Sequence, residues 1–349
     1  MINELKIIPN PYRLSKESFA GLDDFPLPSH NADAPLQLIK RCPEYAVTPL
    51  VEIDGYAGFA KAFVKDERGR MGLGSFKALG AAYVIADLAQ KSSVADMTFV
   101  TASAGNHGMS VAAGAKAFGA KAVIYLSEHV PEVFAEKLRA LGAGVERTKG
   151  NYEASMEGAQ KAAIDNGWVL LSDSSWDGYF ELSHKLMEGY LVLAAEIDAQ
   201  LTERPSHIFL QAGVGGLACA VSRFAREVWG EAPIIVIVEP VAAPALIESI
   251  ENGRLTDTVG PSSNMGRLDC KTPSAVALKG LAQDADFFLT ISDEQVDARL
   301  ADLTALDLET SASGGAAMIA PSLLSDEQRN LIFMNDNSTA LFVISEEPC

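Results

Sequence analysis

A single lysine, Lys77, stands between a glycine-broken loop and an apolar run in the stretch MGLGSFKALGAAYVI, residues 71–85. The run reads as a helix, which puts the lysine in its first turn. There the positive end of the helix dipole repels an ammonium, and apolar surroundings also favour the uncharged form. Both effects are expected to lower the pKa of Lys77. A neutral amine is a nucleophile, and lysine amines form Schiff bases with carbonyl compounds. The same residue also reads as an ordinary surface lysine whose stem lies along an amphipathic helix. The choice depends on what the fold brings beside it.

Three other segments place polar residues where an apolar run stops. TASAGNHGMS (residues 101–110) carries Ser103, Ala104, Gly105, Asn106 and His107. The amides of residues 103–105 can hold a carboxylate, and the Asn106 amide can bond an aromatic oxygen. His107 reads either as a packing histidine or as an acid–base group. QAGVGGLACAV (residues 211–221) sets Gly213, Gly215 and Gly216 ahead of a helix starting near Leu217. Freed backbone N–H groups at a helix N-terminus suit an anion such as a phosphate. This loop lacks the G-x-G-x-x-G spacing of a dinucleotide site and the G-K-[ST] ending of a P-loop. A tight strand-to-helix packing turn explains its glycines equally well. In LLSDSSWDGYFE (residues 170–181), Asp173 reads as a helix N-cap or as an acid near a site.

These segments belong to a chain that alternates strands and helices. Strands are predicted at 61–67, 96–103, 121–127, 167–173, 206–213, 233–240 and 340–345, and helices at 75–91, 105–120 and 131–143. Continuous apolar strands between helices imply an α/β fold with parallel sheets covered on both faces. Ligands in such folds bind outside the carboxyl ends of strands, so the polar loops are expected to converge on one crevice. The first 45 residues, rich in Pro, Asn and Asp, read as an arm with little regular structure. A length of 349 residues suggests roughly two domains. The formal charge of −18 argues against nucleic acid as a partner. Cys42, Cys219, Cys270 and Cys349 show neither metal-ligand spacing nor a disulfide framework, so no metal is expected. No leader and no run of 18 apolar residues is evident, which reads as a soluble cytoplasmic protein with no membrane partner.

Taken together, Lys77 in SFK, Asn106 in SAGNHG and the loop GVGGL resemble the pyridoxal-phosphate enzymes of the tryptophan-synthase β-subunit type, fold type II. Within that group YAVTPLVEI, VKDERGRMGLGSFKALG, DSSWDGY, LQAGVGGL, VEP and MGRLDCKTPS look most like the diaminopropionate ammonia-lyases, over about residues 44–347. The resemblance implies two parallel-sheet α/β domains with the site between them. Residues 1–81 and 182–349 would form a discontinuous cofactor-binding domain and residues 82–182 a smaller mobile one. It further implies pyridoxal 5′-phosphate as cofactor, a homodimer, and α,β-elimination of ammonia or water from a small 2-amino acid. Lys77 would carry the cofactor and act as base at Cα, with Asp173 as a second catalytic group. Asn106 would bond the cofactor's 3′-oxygen, and Gly213, Val214, Gly215, Gly216 and Leu217 its phosphate. Ser345 would meet the pyridine nitrogen, an uncharged partner that limits charge build-up on the ring. Ser103, Ala104, Gly105 and His107 would lie by the substrate. An L-threonine/serine dehydratase, a β-replacement synthase and a catalytically silent binder of the same cofactor share these features.

Two residues depart from that family's pattern. Glu346 stands where the nearest relatives often have threonine, and Ala104 where they tend to carry an acid that serves as base for the D-isomer. A methyl group takes no proton. General-base catalysis contributes typically ~10²–10⁴-fold, so D-diaminopropionate should react slower than the L-isomer by about that factor. Comparing kcat/KM for the two isomers checks this, and equal values would show that another base covers the face opposite Lys77.

Overall fold

The computed structural model describes residues 5–15 and 19–348. Its strands are β1 (Lys6–Pro9), β2 (Leu50–Asp54), β3 (Lys61–Asp66), β4 (Thr98–Ala102), β5 (Lys121–Ser127), β6 (Gly144–Thr148), β7 (Val169–Leu170), β8 (His207–Gln211), β9 (Ile234–Pro240), β10 (Phe287–Ile291) and β11 (Thr339–Ile344). They build a seven-stranded sheet in the order β1-β10-β9-β8-β11-β3-β2 and a four-stranded sheet in the order β6-β5-β4-β7. The smaller sheet is parallel throughout. In the larger one the five interior strands are parallel, while β1 and β2 pair antiparallel at its edges.

Those edges correct the all-parallel expectation. β2 and β3 are consecutive and close as a local hairpin, with Gly55 N donating to Ala60 O at 2.9 Å, and a short connection permits only antiparallel pairing. The N-terminal arm is likewise more ordered than its composition implies. It contributes β1, whose backbone is satisfied by pairing with β10, and the helix Asp33–Ile39, which packs against the helices Lys77–Lys91 and Glu181–Gln200. β6 and β10 receive no strand in the sequence reading. β6 (GVERT) is half-polar, and β10 (FFLTI) is a buried run without periodicity. The strand expected at 167–173 shrinks to β7, and the rest of that segment leaves the ladder to form the Asp173 loop. Cys349 lies outside the described residues; Cys42, Cys219 and Cys270 are free thiols.

The helix carrying the lysine spans Lys77–Lys91 and packs along Glu181–Gln200. Phe76 and Tyr190 meet edge-to-face there, with ring centroids 4.9 Å apart. On the opposite face of the larger sheet, Phe59, Phe209 and Phe342 pack against one another. Between β3 and the Glu181–Gln200 helix lies a buried ionic cluster. Arg70 donates to Glu67 Oε2 through Nε and to Glu196 Oε2 through Nη2, both at 2.7 Å, and Lys65 Nζ reaches Glu196 Oε2 at 2.7 Å. Thr48 Oγ1 closes it, donating to Glu67 Oε1 at 2.6 Å. Two cations and two carboxylates balance, so no charge within the cluster is left unpaired.

This cluster anchors the segment that delivers Lys77. Arg70 leaves helical geometry at ψ 115 and Met71 adopts φ 51, so the chain turns sharply between the cluster and the helix. Gly74 follows with φ +70, and a Cβ there would sit 2.5 Å from the Glu347 carboxyl carbon. The positive φ favours glycine, and across this turn Glu347 N donates to Gly74 O at 2.9 Å and Phe76 N to Ser345 O at 3.2 Å. The lysine loop is thus stitched to the end of β11. Glu196→Ala leaves Lys65 without its ion-pair partner and Arg70 with Glu67 alone, so it should destabilise the protein by about 3–5 kcal/mol. Denaturant unfolding measures the loss; a change below 1 kcal/mol would show the cluster to be dispensable.

Candidate active site

Lys77 opens its helix without a side-chain cap and without an acid in the first turn. The amine points across the gap between the sheets, where Nζ meets Asp173 Oδ2 at 2.6 Å, each side chain being 20% exposed. It also lies 5.2 Å and 5.8 Å from the ring centroids of Phe76 and Tyr190. The expectation of a lowered pKa is corrected here. Burial does push the amine down, but Asp173 and, behind it, Tyr190 outweigh burial and hold it above its ordinary value. Conversely, burial raises Asp173, while Lys77 and His107 pull it well below the usual carboxylate range. In the protein without cofactor the pair is therefore an ammonium–carboxylate ion pair.

The motif DSSWDGY positions Asp173. Tyr179 Oη accepts from Ser172 N at 2.9 Å and donates to Leu170 O at 3.0 Å, clamping the backbone just ahead of the acid. Trp176 stacks on Tyr179 with centroids 4.5 Å apart. Ser175 Oγ pairs with Ser274 Oγ at 2.7 Å and accepts from Val276 N at 2.9 Å, tying the loop to the helix Ala275–Asp284. Asp173 is no helix N-cap; the next helix starts at Glu181. His107 supports the same loop from the other side, its Nε2 lying 2.8 Å from Leu171 O. Burial lowers its pKa, which favours the neutral ring.

Asn106 begins the helix Asn106–Ala117, with Gly105 at the N-cap. Its Nδ2 donates to Glu346 Oε2 at 2.5 Å. Arg267 Nε lies 3.0 Å from the same oxygen, and Ser311 Oγ donates to Glu346 Oε1. Arg267 is also the nearest neighbour of a Cβ built on Gly105, at 4.0 Å. Ser103 and Ala104 line a small cavity with Tyr125, Ser127 and Tyr152. Gly215 caps the helix Gly216–Trp229 in the left-handed region at φ 97. That helix has neither a side-chain cap nor an acid in its first turn, so its leading amides are open to an anion. Leu217 is buried, and Val214 O accepts from Ser274 N at 3.0 Å. A Cβ on Gly213 would lie 2.9 Å from Cys270 Sγ, and burial pushes that thiol up to about 12. Ser345 is buried just past β11, its carbonyl engaged by Phe76 N.

The structure thus brings Lys77, Asp173, Asn106, the residues 103–105 and the glycine loop to one crevice, with Glu346 against Asn106 and the backbone of Ser345 beneath Phe76. Tyr190, Ser311, Arg267 and Cys270 also belong to it. The last two lie in MGRLDCKTPS, a motif whose letters alone assign no role. Tyr190 and Ser311 carry no sequence signal, since each reaches the site from a helix or loop remote in the chain.

A lysine at the start of a helix, an asparagine amide in the same crevice and an uncapped glycine turn fit one phosphorylated aldehyde cofactor. Residues 42–346 match the family described as pyridoxal-phosphate dependent enzyme, and the chain belongs to it. The cofactor is pyridoxal 5′-phosphate, and the fold is that of fold type II. The chain is 34% identical over 285 residues to the diaminopropionate ammonia-lyase of Salmonella typhimurium, covering 73% of this chain and 70% of that one. It is 31% identical over 204 residues to human L-serine dehydratase/L-threonine deaminase, covering 58% and 60%. The crystal structure of Escherichia coli diaminopropionate ammonia-lyase with an aminoacrylate–pyridoxal-phosphate reaction intermediate superposes with a TM-score of 0.87 at 27% identity. It covers 99% of this chain and 94% of that one.

The ion pair makes a prediction for the cofactor-free protein. Its stabilisation is present above the ordinary carboxylate value of 3.8 and is lost as pH falls through the lowered Asp173 value. On the alkaline side it is present below 10.5 and lost as pH rises through the raised Lys77 value. Asp173→Asn removes the opposing charge, whose effect is about 1–3 pKa units, so the neutral fraction of Lys77 should rise about tenfold or more. Acylation of Lys77 at neutral pH, followed by peptide mass spectrometry, should speed up accordingly. An unchanged rate would mean that Asp173 does not control the amine.

Proposed function

We propose that the protein is an ammonia-lyase that eliminates a β-amino group from a small 2-amino acid such as 2,3-diaminopropionate, giving a 2-keto acid and ammonia. One observation carries this reading: the Asp173 carboxylate held ionised 2.6 Å from Lys77. An ionised carboxylate attracts a β-ammonium more strongly than a neutral β-hydroxyl, because only the former offers a full opposite charge. The names of the similar ammonia-lyases support it.

The cofactor, when bound, supplies an electron sink for the pair left at Cα when its proton departs. Lys77 holds it through the ε-nitrogen and, once freed by the substrate's amine, takes the Cα proton as general base. Asp173 orients that amine and faces the leaving group. The amides of residues 103–105 at the start of a helix hold the substrate carboxylate. Asn106 holds the 3′-oxygen, and residues 213–217 hold the phosphate through backbone N–H groups. His107 keeps the Asp173 loop in place beside the substrate. Residues 82–182, with the four-stranded sheet, close over the substrate and exclude water. From the family resemblance we read a homodimer, and from the sequence a cytoplasmic protein; among the described residues no helix is long and apolar enough to cross a membrane.

Incubation with L-diaminopropionate, L-serine and L-threonine tests the reading. Diaminopropionate should give the highest kcat/KM, with twice as much ammonia as keto acid. Preference for a hydroxy acid would make the protein a dehydratase, and no keto acid from any of them a silent binder. A second test separates phosphate binding from packing in the glycine loop. Gly213 and Gly215 are too crowded to substitute cleanly, but Val214 is only partly buried. Val214→Asp puts a carboxylate beside the phosphate, where like charges repel by one to a few kcal/mol. Affinity for pyridoxal phosphate should fall about tenfold or more, while affinity for unphosphorylated pyridoxal and thermal stability hold. Equal losses for both would leave the loop a packing turn.

A further inference from the structure

Glu346 is a carboxylate that the proposed reaction leaves without a role. It is 3% exposed at the end of β11, and its position is over-determined. Thr310 Oγ1 donates to its carbonyl at 2.5 Å, and Ser75 and Glu346 form an antiparallel bridge. Ser311 Oγ, which donates to Oε1, also accepts from Gly314 N at 3.0 Å. A carboxylate so buried persists as a charge only when paired. Burial holds the Glu346 carboxyl above its ordinary value, and Arg267, Ser311, Lys77 and Asn106 offset only part of that rise. Arg267 at 3.0 Å supplies the opposite charge. The chain therefore sets an arginine-paired carboxylate in contact with Asn106, inside the crevice.

A pyridoxal phosphate ring offers four attachment points: its carbonyl carbon, phosphate, 3′-oxygen and ring nitrogen. In the reading above Lys77, the glycine loop and Asn106 take the first three. The nitrogen is left, and two side chains follow β11, Ser345 and Glu346, of which Glu346 contacts Asn106. They have different consequences. A hydroxyl can donate to a bare nitrogen, whereas an ionised carboxylate only accepts and so requires a protonated one. We propose that Glu346, rather than Ser345, is the partner of the cofactor's ring nitrogen and keeps that nitrogen protonated. This rests on the reading that Lys77 carries the cofactor. A protonated ring withdraws electrons more strongly, so this chain uses a deeper electron sink than the uncharged partner expected from the family resemblance.

The test is the nitrogen resonance of holoenzyme loaded with pyridoxal phosphate carrying nitrogen-15 in the ring, read in wild type, Glu346→Gln and Ser345→Ala. The wild-type resonance should fall at the protonated position, move to the unprotonated position in Glu346→Gln, and stay put in Ser345→Ala. An unprotonated wild type, an unmoved resonance in Glu346→Gln, or a move in Ser345→Ala would overturn the proposal. The wild-type spectrum alone decides it if Glu346→Gln fails to fold. If the wild type shows only free cofactor and borohydride fixes none to Lys77, the cofactor reading itself fails, and this inference with it.

Discussion

The ion pair between Lys77 and Asp173 is the contact on which the site depends. It spans the gap between the two sheets: Lys77 is fixed to the larger one through the end of β11, Asp173 to the smaller one through the loop after β7. Either charge alone would be poorly solvated there, so each requires the other or a substitute. A substrate that brings its own ammonium offers Asp173 a substitute partner and frees the amine. The charges that hold the cofactor-free crevice together are thus the charges an amino acid is equipped to replace.

Such a pair works only if one side is rigid. The Arg70–Glu67–Glu196–Lys65 cluster supplies that rigidity, since every member is bonded to at least one opposite charge and the cluster lies a few residues ahead of Lys77. Local preference argues against placing a lysine at an uncapped helix start. The fold tolerates it because Asp173 faces it and the aromatic rings of Phe76 and Tyr190 flank it. Functional sites are where a chain is expected to break local rules, with compensation from neighbours.

The glycine loop shows why a packing reading and a binding reading need not compete. Gly215 must adopt a left-handed cap, and its Cβ direction is filled by Ala277 and Leu281 at 3.2 Å. Packing therefore demands glycine on one side of the turn. On the other, the bare turn leaves the first amides of the helix Gly216–Trp229 without side-chain caps. The same residues fit the turn against the core and leave the helix N-terminus open to an anion.

The places of Lys77, Asn106 and GVGGL were legible from the chain because each is tied to a local motif: an amine at a helix start, a polar turn after a strand, glycines before a helix. The alternation of apolar strands and helices likewise determined the α/β class, since it reflects which faces must be buried. What local pattern could not reach was anything set by partners distant in sequence. The sign of the Lys77 shift needed Asp173, 96 residues away, to overcome burial. The ordered arm needed β10 to pair with, and the role of Tyr179 needed the backbone of Ser172 beside it. Glu346 read only as an anomaly at the chain's end until folding set Asn106, Arg267 and Ser311 around it. The sequence by itself determined which chemical groups were present and on which elements. Only the tertiary structure decided their charge and orientation, because a pKa and a hydrogen bond depend on neighbours in space.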